Sequence, residues 1–295
     1  MNAKRMTRRA FMKRLAVIGT AAAALNAGYA FAIERSWLRV HHIQLTLDKL
    51  PKAFHGLRIV HFSDLHLGFF LGADHFGMIA ERIQSLQGDM ICFTGDLMDR
   101  SIDQRKATRL SEETGEIWSR LNAPLGKFAV LGNHDYSHHY PTVTSLLHAS
   151  GFQLLQNKVV RVSSKGDAMT ICGLEDALSG QPDSALWLRE HRDSFRLLLL
   201  HAPDYIEQLK DERRQSVYAD LQLSGHSHGG QIRLPLLGAV INPPLGKVYQ
   251  DHLYQPGHQQ YIYTSRGIGT TRLPFRYLCR PEIALIELHR GKDGV

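Results

Sequence analysis

Five short apolar runs in this chain each stop at residue types that bind divalent metals. "LRIVHFS" (57–63) runs into Asp64 with His66 two residues on, and "DMICFTGD" (89–96) ends at Asp96. "KFAVLGNHD" (127–135) ends in Asn133, His134 and Asp135; "FRLLLLHAP" (195–203) carries His201; "YADLQLSGH" leads into His226 and His228. Apolar, β-branched runs of this length between turn residues read as buried strands. Gly225, Gly229 and Gly230 permit backbone angles closed to other residues, and an i, i+2 spacing in extended chain aims two imidazoles the same way. A lone H-x-H is equally a polar turn that happens to contain histidine. Repetition at five strand ends is what narrows the fold.

Helical patterns fill the gaps: 74–87 with Phe76, Ile79, Ile83 and Leu86, 105–121 with Leu110, Ile117 and Leu121, and 141–149. "WLRVHHIQLTL" reads as a first strand. This alternation predicts βαβ units and a largely parallel sheet. Beyond residue 150, strands at 169–176 and 195–203, helices near 182–190 and 203–213, and shorter strands near 230–234, 260–264 and 282–289 predict a second, more antiparallel sheet. No linker composition separates the halves, so residues 33–295 read as a single α/β domain of two sheets.

In open α/β sheets, ligands bind beyond the carboxyl ends of the strands. Asp64, His66, Asp96, Asn133, His201, His226 and His228 give two carboxylates, one carboxamide and four imidazoles. Oxygen and nitrogen donors without thiolate suit manganese, iron or zinc better than calcium. Seven donors exceed one tetrahedral ion and suit two, which a carboxylate could hold roughly 3.5–4 Å apart. Asp96, alone on its loop, is the natural bridge. Singly, a strand-end Asp is usually a turn or cap residue, and a His after "LLLL" a structural one.

The ordered series D-x-H, G-D, G-N-H-D, a lone His and G-H-x-H resembles the calcineurin-like metallophosphoesterase superfamily, over roughly residues 55–290. The leader, "GHSHGGQ" and the tail "SRGIGTTRLPFRYLCRPEI" look closest to its exported or membrane-associated bacterial phosphodiesterases. The resemblance implies a four-layer α/β/β/α sandwich of mixed strands flanked by helices, and two divalent ions per chain. Asp64, His66 and His228 would hold one ion; Asn133, His201 and His226 the other; Asp96 would bridge, with a water or hydroxide between the ions as nucleophile. His134 would donate a proton to the leaving oxygen or hydrogen-bond a phosphoryl oxygen, and Asp135 would orient its imidazole. The implied reaction is phosphoester, chiefly phosphodiester, hydrolysis. Two alternatives stand beside it: pyrophosphate cleavage of a nucleotide-linked lipid sugar of the UDP-diacylglucosamine type, and a non-catalytic metal-binding envelope protein. Phe69, Phe70 and Leu71 beside the first motif motivate the lipid substrate and are equally core or lid.

Charge bears on partners. Of the net +7, six charges lie in residues 1–32, which hold no acid. The near-neutral remainder gives no reason to expect nucleic-acid binding. Residues 1–32 have a basic opening, an apolar Ala-rich middle and the ending Ala30-Phe31-Ala32, the layout of an export signal. Thr7-Arg8-Arg9-Ala10-Phe11-Met12-Lys13 resembles the twin-arginine type. The expectation is export by that machinery across the cytoplasmic membrane, to the periplasm or to an anchored position on the outer face of that membrane, with the segment either cleaved or kept as an anchor. Cys92, Cys172 and Cys279 offer no disulfide framework and read as small core residues. Of the remaining polar groups, His138 and His139 read as a solvated loop, and Glu175 and Asp176 as caps or site neighbours. Arg266, Arg272 and Arg276 read as surface or ion-pair groups, or as phosphate clamps.

Overall fold

The computed structural model describes residues 7–189, 194–209 and 218–291. In chain order the elements are α1 (Arg8–Ala32), β1 (Arg39–Leu47), β2 (Leu57–Phe62), α2 (Ala73–Ser85), β3 (Met90–Phe93), α3 (Gln104–Arg120), β4 (Lys127–Ala129), α4 (Tyr140–Ala149), β5 (Gln153–Leu154), β6 (Lys158–Ser164), β7 (Asp167–Gly173), α5 (Ser184–Arg189), β8 (Arg196–Leu199), β9 (Leu221–Ser224), β10 (Arg233–Leu234), β11 (Gly238–Ala239), β12 (His252–Gly257), β13 (Gln260–Thr264) and β14 (Glu282–Arg290). Two six-stranded sheets result, ordered β1-β14-β2-β3-β4-β5 and β12-β13-β9-β8-β7-β6; β10 and β11 form a separate hairpin.

Strand alternation builds the layers, because successive side chains point to opposite faces. Val60, Phe62, Ile91 and Phe93 face the helices, where Phe76, Ile79 and Ile83 of α2 and Leu110 and Trp118 of α3 meet them. Ile59, Met90 and Cys92 face the other way and pack with Leu197, Leu199, Leu221 and Leu223 between the sheets. Leu198 and Leu200 point outward again, onto Trp187 of α5 and Ile206. The order is therefore helices, sheet, sheet, helices.

Three expectations are corrected. The strand near 282–289 belongs to the first sheet, parallel to β1 and antiparallel to β2. The second sheet is parallel through its centre, β13-β9-β8-β7, and antiparallel only at its edges. The helix expected over 203–213 is a 3-10 segment, Pro203–Gln208, opened by a proline whose missing N–H costs nothing at a first turn; residues 210–217 lie outside the described residues. Strands β5, β6, β11 and β12 were not anticipated.

The α1 segment is long and apolar enough to cross a membrane, and almost all of it is exposed. Only its last turns touch the body: the Tyr277 hydroxyl donates to Asn26 Oδ1 at 2.9 Å, and the Arg276 backbone N–H to the Ala30 carbonyl at 3.2 Å.

Candidate metal centre

Strands β2, β3 and β4 lie side by side in one sheet and β8 and β9 in the other, all with their carboxyl ends at one edge of the sandwich. Loops leaving those ends are stitched together by backbone bonds, among them Asp64 N–H to Gly95 O (2.9 Å), His66 N–H to Asp96 O (3.1 Å) and Gly225 N–H to His201 O (3.0 Å). Two glycines permit the approach. A Cβ on Gly225 would fall 1.8 Å from Ser63 Oγ, and one on Gly132 would fall 2.2 Å from Asp96 Oδ1.

The stitching bends the backbone into an unfavourable region. Asp64, His66, Asp96, His226 and His228 all have φ between 46° and 69°. Side-chain-bearing residues avoid that region at a cost of about 1–3 kcal/mol each, and such residues cluster at functional sites. Five of the seven sequence-derived ligand candidates adopt it, which a row of ordinary turns would not require.

Donor atoms of three overlapping groups gather within 4.8 Å: Asp64, His66 and His228; His66, Asp96 and His134; Asp64, Asp96 and His201. His66 Nε2 and His228 Nε2 stand 2.9 Å apart, and His201 Nε2 stands 3.4 Å from Asp96 Oδ2. His226 joins through its backbone N–H, 3.1 Å from both Asp64 carboxylate oxygens, and its ring lies 5.1 Å from that of His201. Asn133 precedes His134, whose N–H donates to Asp96 Oδ1 at 2.9 Å.

The donors fit divalent ions. Asn133 Oδ1 and His201 Nε2 are buried with no hydrogen-bond partner among the described residues, a state that is costly unless something else satisfies them. Carbonyl oxygens fix two imidazoles from behind: His201 Nδ1 contacts Thr94 O at 2.6 Å and His226 Nε2 contacts Pro244 O at 2.8 Å. A ring nitrogen that donates to a carbonyl leaves the other with a lone pair for a metal.

The field agrees. Burial would lower the His201 pKa, but Asp96, Asp64 and Asp176 hold it well above the ordinary histidine value. Carboxylates that attract a proton so strongly attract a dication for the same reason. Burial, followed by the charge of His201, drives His226 down to about 3. Burial, His66 and Arg276 drive His228 well below its ordinary value. Both imidazoles are thus neutral, as ligation requires.

Asp135 does not touch the His134 ring as expected. Its carboxylate instead accepts backbone N–H bonds from Asp96 (2.8 Å), Leu97 (2.9 Å), Met98 (3.3 Å) and Gly132 (3.0 Å), clamping two ligand loops together. Burial and the Asp96 charge push its pKa up to about 7 against those donors. The carboxylate beside His134 is Asp99, with Oδ2 3.5 Å from His134 Nδ1 and 3.1 Å from His66 Nδ1. Burial lowers the His134 pKa, yet Asp96 and Asp99 raise it above its ordinary value. Asp99 lies three residues beyond Asp96 in "GDLMD", a signal present in the sequence but shared with any turn.

Other polar groups resolve differently. His139 is buried, with Nε2 3.1 Å from the Asp99 carbonyl, so it supports that loop instead of lying in solvent. Asp176 is buried and caps the turn at Leu178 and Ser179. Arg266 pairs with Asp251 at 2.7 Å. Arg276 is wholly buried and donates to the carbonyls of Gly269, Cys279 and Arg266, which leaves it no reach for a phosphate. All three cysteines are buried.

A two-sheet sandwich whose strand ends crowd carboxylates and imidazoles into one buried cluster defines a metal-dependent phosphoester hydrolase. The chain belongs to the calcineurin-like phosphoesterase family, whose model matches residues 57–230; that family uses two divalent ions. It is 37% identical to the uncharacterized metallophosphoesterase YkuE of Bacillus subtilis, across 97% of this chain and 98% of that protein. It is 30% identical to the UDP-2,3-diacylglucosamine pyrophosphatase LpxG of Chlamydia muridarum, across 85% of this chain and 92% of that one. Among solved structures, a 5'-nucleotidase precursor from Thermus thermophilus aligns with a TM-score of 0.46 at 15% identity, covering 78% of this chain and 54% of that one.

Proposed function

We propose that Asp64, His66 and His228 hold one divalent ion, that Asn133, His201 and His226 hold a second, and that Asp96 bridges them, in a hydrolase that cuts a phosphodiester or diphosphate bond. One observation carries the assignment: the crowding of Asp64, His66, Asp96, His201 and His228, with Asn133 Oδ1 and His201 Nε2 buried and without a hydrogen-bond partner among the described residues. When bound, such ions supply Lewis-acid charge and hydroxide at neutral pH. The chain's own residues do the rest. The Asp135 carboxylate holds the Asp96 and Gly132 loops in register. His134 keeps its proton under the charges of Asp96 and Asp99 and delivers it to the departing oxygen. Asp99 fixes the orientation of that ring. Purified protein loaded with Mn²⁺ should hydrolyse bis(p-nitrophenyl) phosphate, and Asp96→Asn or His226→Ala should abolish turnover without unfolding. Full activity in excess chelator would overturn the proposal, and bound metal without turnover on any phosphoester would favour a non-catalytic binder.

For the substrate, the similarity to LpxG, the apolar α1 and Phe70, half-exposed near the first motif, support a lipid-linked nucleotide diphosphate. Incubation with UDP-2,3-diacylglucosamine should release UMP. Export by the twin-arginine route is supported by Arg8 and Arg9 ahead of the apolar stretch. Replacing both with lysine should leave the protein in the cytoplasm.

A further inference from the structure

The loop from Gln231 to Pro243 is tied to the candidate metal centre at both ends. It leaves directly after His228–Gly230 and returns at Pro244, whose carbonyl receives His226 Nε2. Between these points it folds as the β10–β11 hairpin, pairing Arg233 with Ala239 and Leu234 with Gly238. Its base is tight, since a Cβ on Gly230 would fall 2.3 Å from that of Ala239. Its outer half is apolar and uncovered: Leu236 is fully exposed, Leu237 79% and Ile241 68%, with Leu234 and Val240 beside them. Soluble monomers scatter such side chains singly; a contiguous group marks an interaction surface.

The neighbours of the hairpin say which. Ile232 bridges to Tyr277, and the Arg233 N–H donates to the Tyr277 carbonyl at 2.9 Å. The same Tyr277 holds Asn26 of α1, and Leu273 and Leu278 of this segment are exposed as well. The apolar hairpin therefore adjoins the end of a helix long and apolar enough to cross a membrane. Charge is matched too. Residues 221–250 and 265–281 contain no Asp or Glu; Lys247 and Arg272 are exposed there and Arg233 and Arg280 half-buried, while Arg266 is paired with Asp251 and Arg276 is buried. An apolar tip beside accessible cations, with no carboxylate in these segments, suits the boundary of an anionic lipid layer, where leucines bury and cations meet headgroup phosphates.

We propose that this hairpin inserts its leucines into a lipid bilayer beside α1 and holds the metal centre within a hairpin's length of the headgroups. The insertion stands on the surface alone. Its use, presenting a lipid-anchored phosphoester to the centre, rests on the phosphoesterase reading above.

The test uses the full chain in vesicles of phosphatidylcholine and phosphatidylglycerol. The native cysteines are buried, so an environment-sensitive dye labels Leu236→Cys selectively. A Lys165→Cys control lies in the turn before β7, at the end of the second sheet opposite the site. Dye at 236 should shift its emission to the blue and be quenched by brominated lipid, and dye at 165 should do neither. An unshifted, unquenched dye at 236 would overturn the proposal, as would a blue shift that needs only higher protein concentration and no lipid, which would mark contact between copies. In activity, Leu236→Asp/Leu237→Asp should lose about tenfold or more in kcat/KM on a lipid-anchored ester, the partition factor of one buried leucine, and keep its kcat/KM on bis(p-nitrophenyl) phosphate. Equal loss on both esters would refute the presenting role. A wild type inert on both would refute the phosphoesterase reading, while the dye would still decide insertion.

Discussion

Gly132→Ala adds one methyl group at the narrowest point between the two halves of the candidate centre. The new Cβ would lie 2.2 Å from Asp96 Oδ1, 2.6 Å from His201 Cε1 and 2.7 Å from the Asp96 backbone nitrogen, whereas ordinary contact begins at 3.4 Å. None of these atoms is the free end of a flexible chain. The Asp96 N–H is held by Asp135, and His201 Nδ1 contacts Thr94 O. Roughly 1 Å must therefore be found by separating the proposed bridging carboxylate from the imidazole facing it, and a displacement of that size costs about 100-fold in rate. Overpacking adds about 1–3 kcal/mol of destabilisation, which in a chain of this size lowers Tm by about 2–12 °C. The same substitution at Gly77, inside α2 with its nearest neighbour at 3.8 Å, should instead stabilise by about 0.5–1 kcal/mol. The assay is kcat/KM on bis(p-nitrophenyl) phosphate with saturating Mn²⁺, beside thermal melting. A Gly132→Ala enzyme within about threefold of wild type would refute the reasoning, because the site would then tolerate a displacement that should disable it.

Adding Mn²⁺ should raise Tm in proportion to the logarithm of its concentration above Kd, and Asp96→Asn should blunt that rise in the same melting series. Burial would raise the Glu282 pKa, but His252 and the Tyr263 hydroxyl hold it at about 2, below the ordinary 4.5. Its carboxylate therefore contributes about 3 kcal/mol, fully present above pH 4.5 and lost as pH falls through about 2; Glu282→Gln should remove that amount at pH 7 and flatten the acid limb of a denaturation profile. Asp99→Asn should move the alkaline limb of the kcat profile to lower pH, because one of the two charges that raise the His134 pKa is gone, and should lower Tm, because a buried carboxylate loses its charged contacts with His66 and His134. Arg276→Met should unfold more readily than wild type by about 3 kcal/mol or more, since three buried carbonyls lose their donor; urea titration measures it.

The strands that carry the site were legible because they are buried on both faces and read as unbroken apolar runs. The five loops were legible because metal-binding chemistry restricts residue type. What escaped has physical reasons too. β5 spans only two residues, and β6 is a half-exposed edge strand with a mixed pattern. β14 has the apolar sequence of any central strand, and composition does not say which sheet takes it. Asp135 was expected beside the His134 ring because it adjoins His134 in sequence, and Asp99, 3.5 Å from that ring, was not singled out. Only the fold shows that one carboxylate turns back onto four amides while the other reaches the imidazoles. Arg276 reads in sequence as a surface, ion-pair or phosphate-clamping group and is a buried tie in space.

The place of β14 carries a further consequence. Residues 282–290 lie between β1, at the start of the body, and β2, which leads to the first ligand loop. A ribosome delivers those residues after every other strand of the first sheet. Until they emerge, the strand bearing Asp64 has an open flank, and the first sheet is split with β1 stranded on its far side. The first sheet therefore closes only once residues 282–290 have emerged, and a nascent chain halted short of residue 282 has no complete sheet on which to assemble its centre.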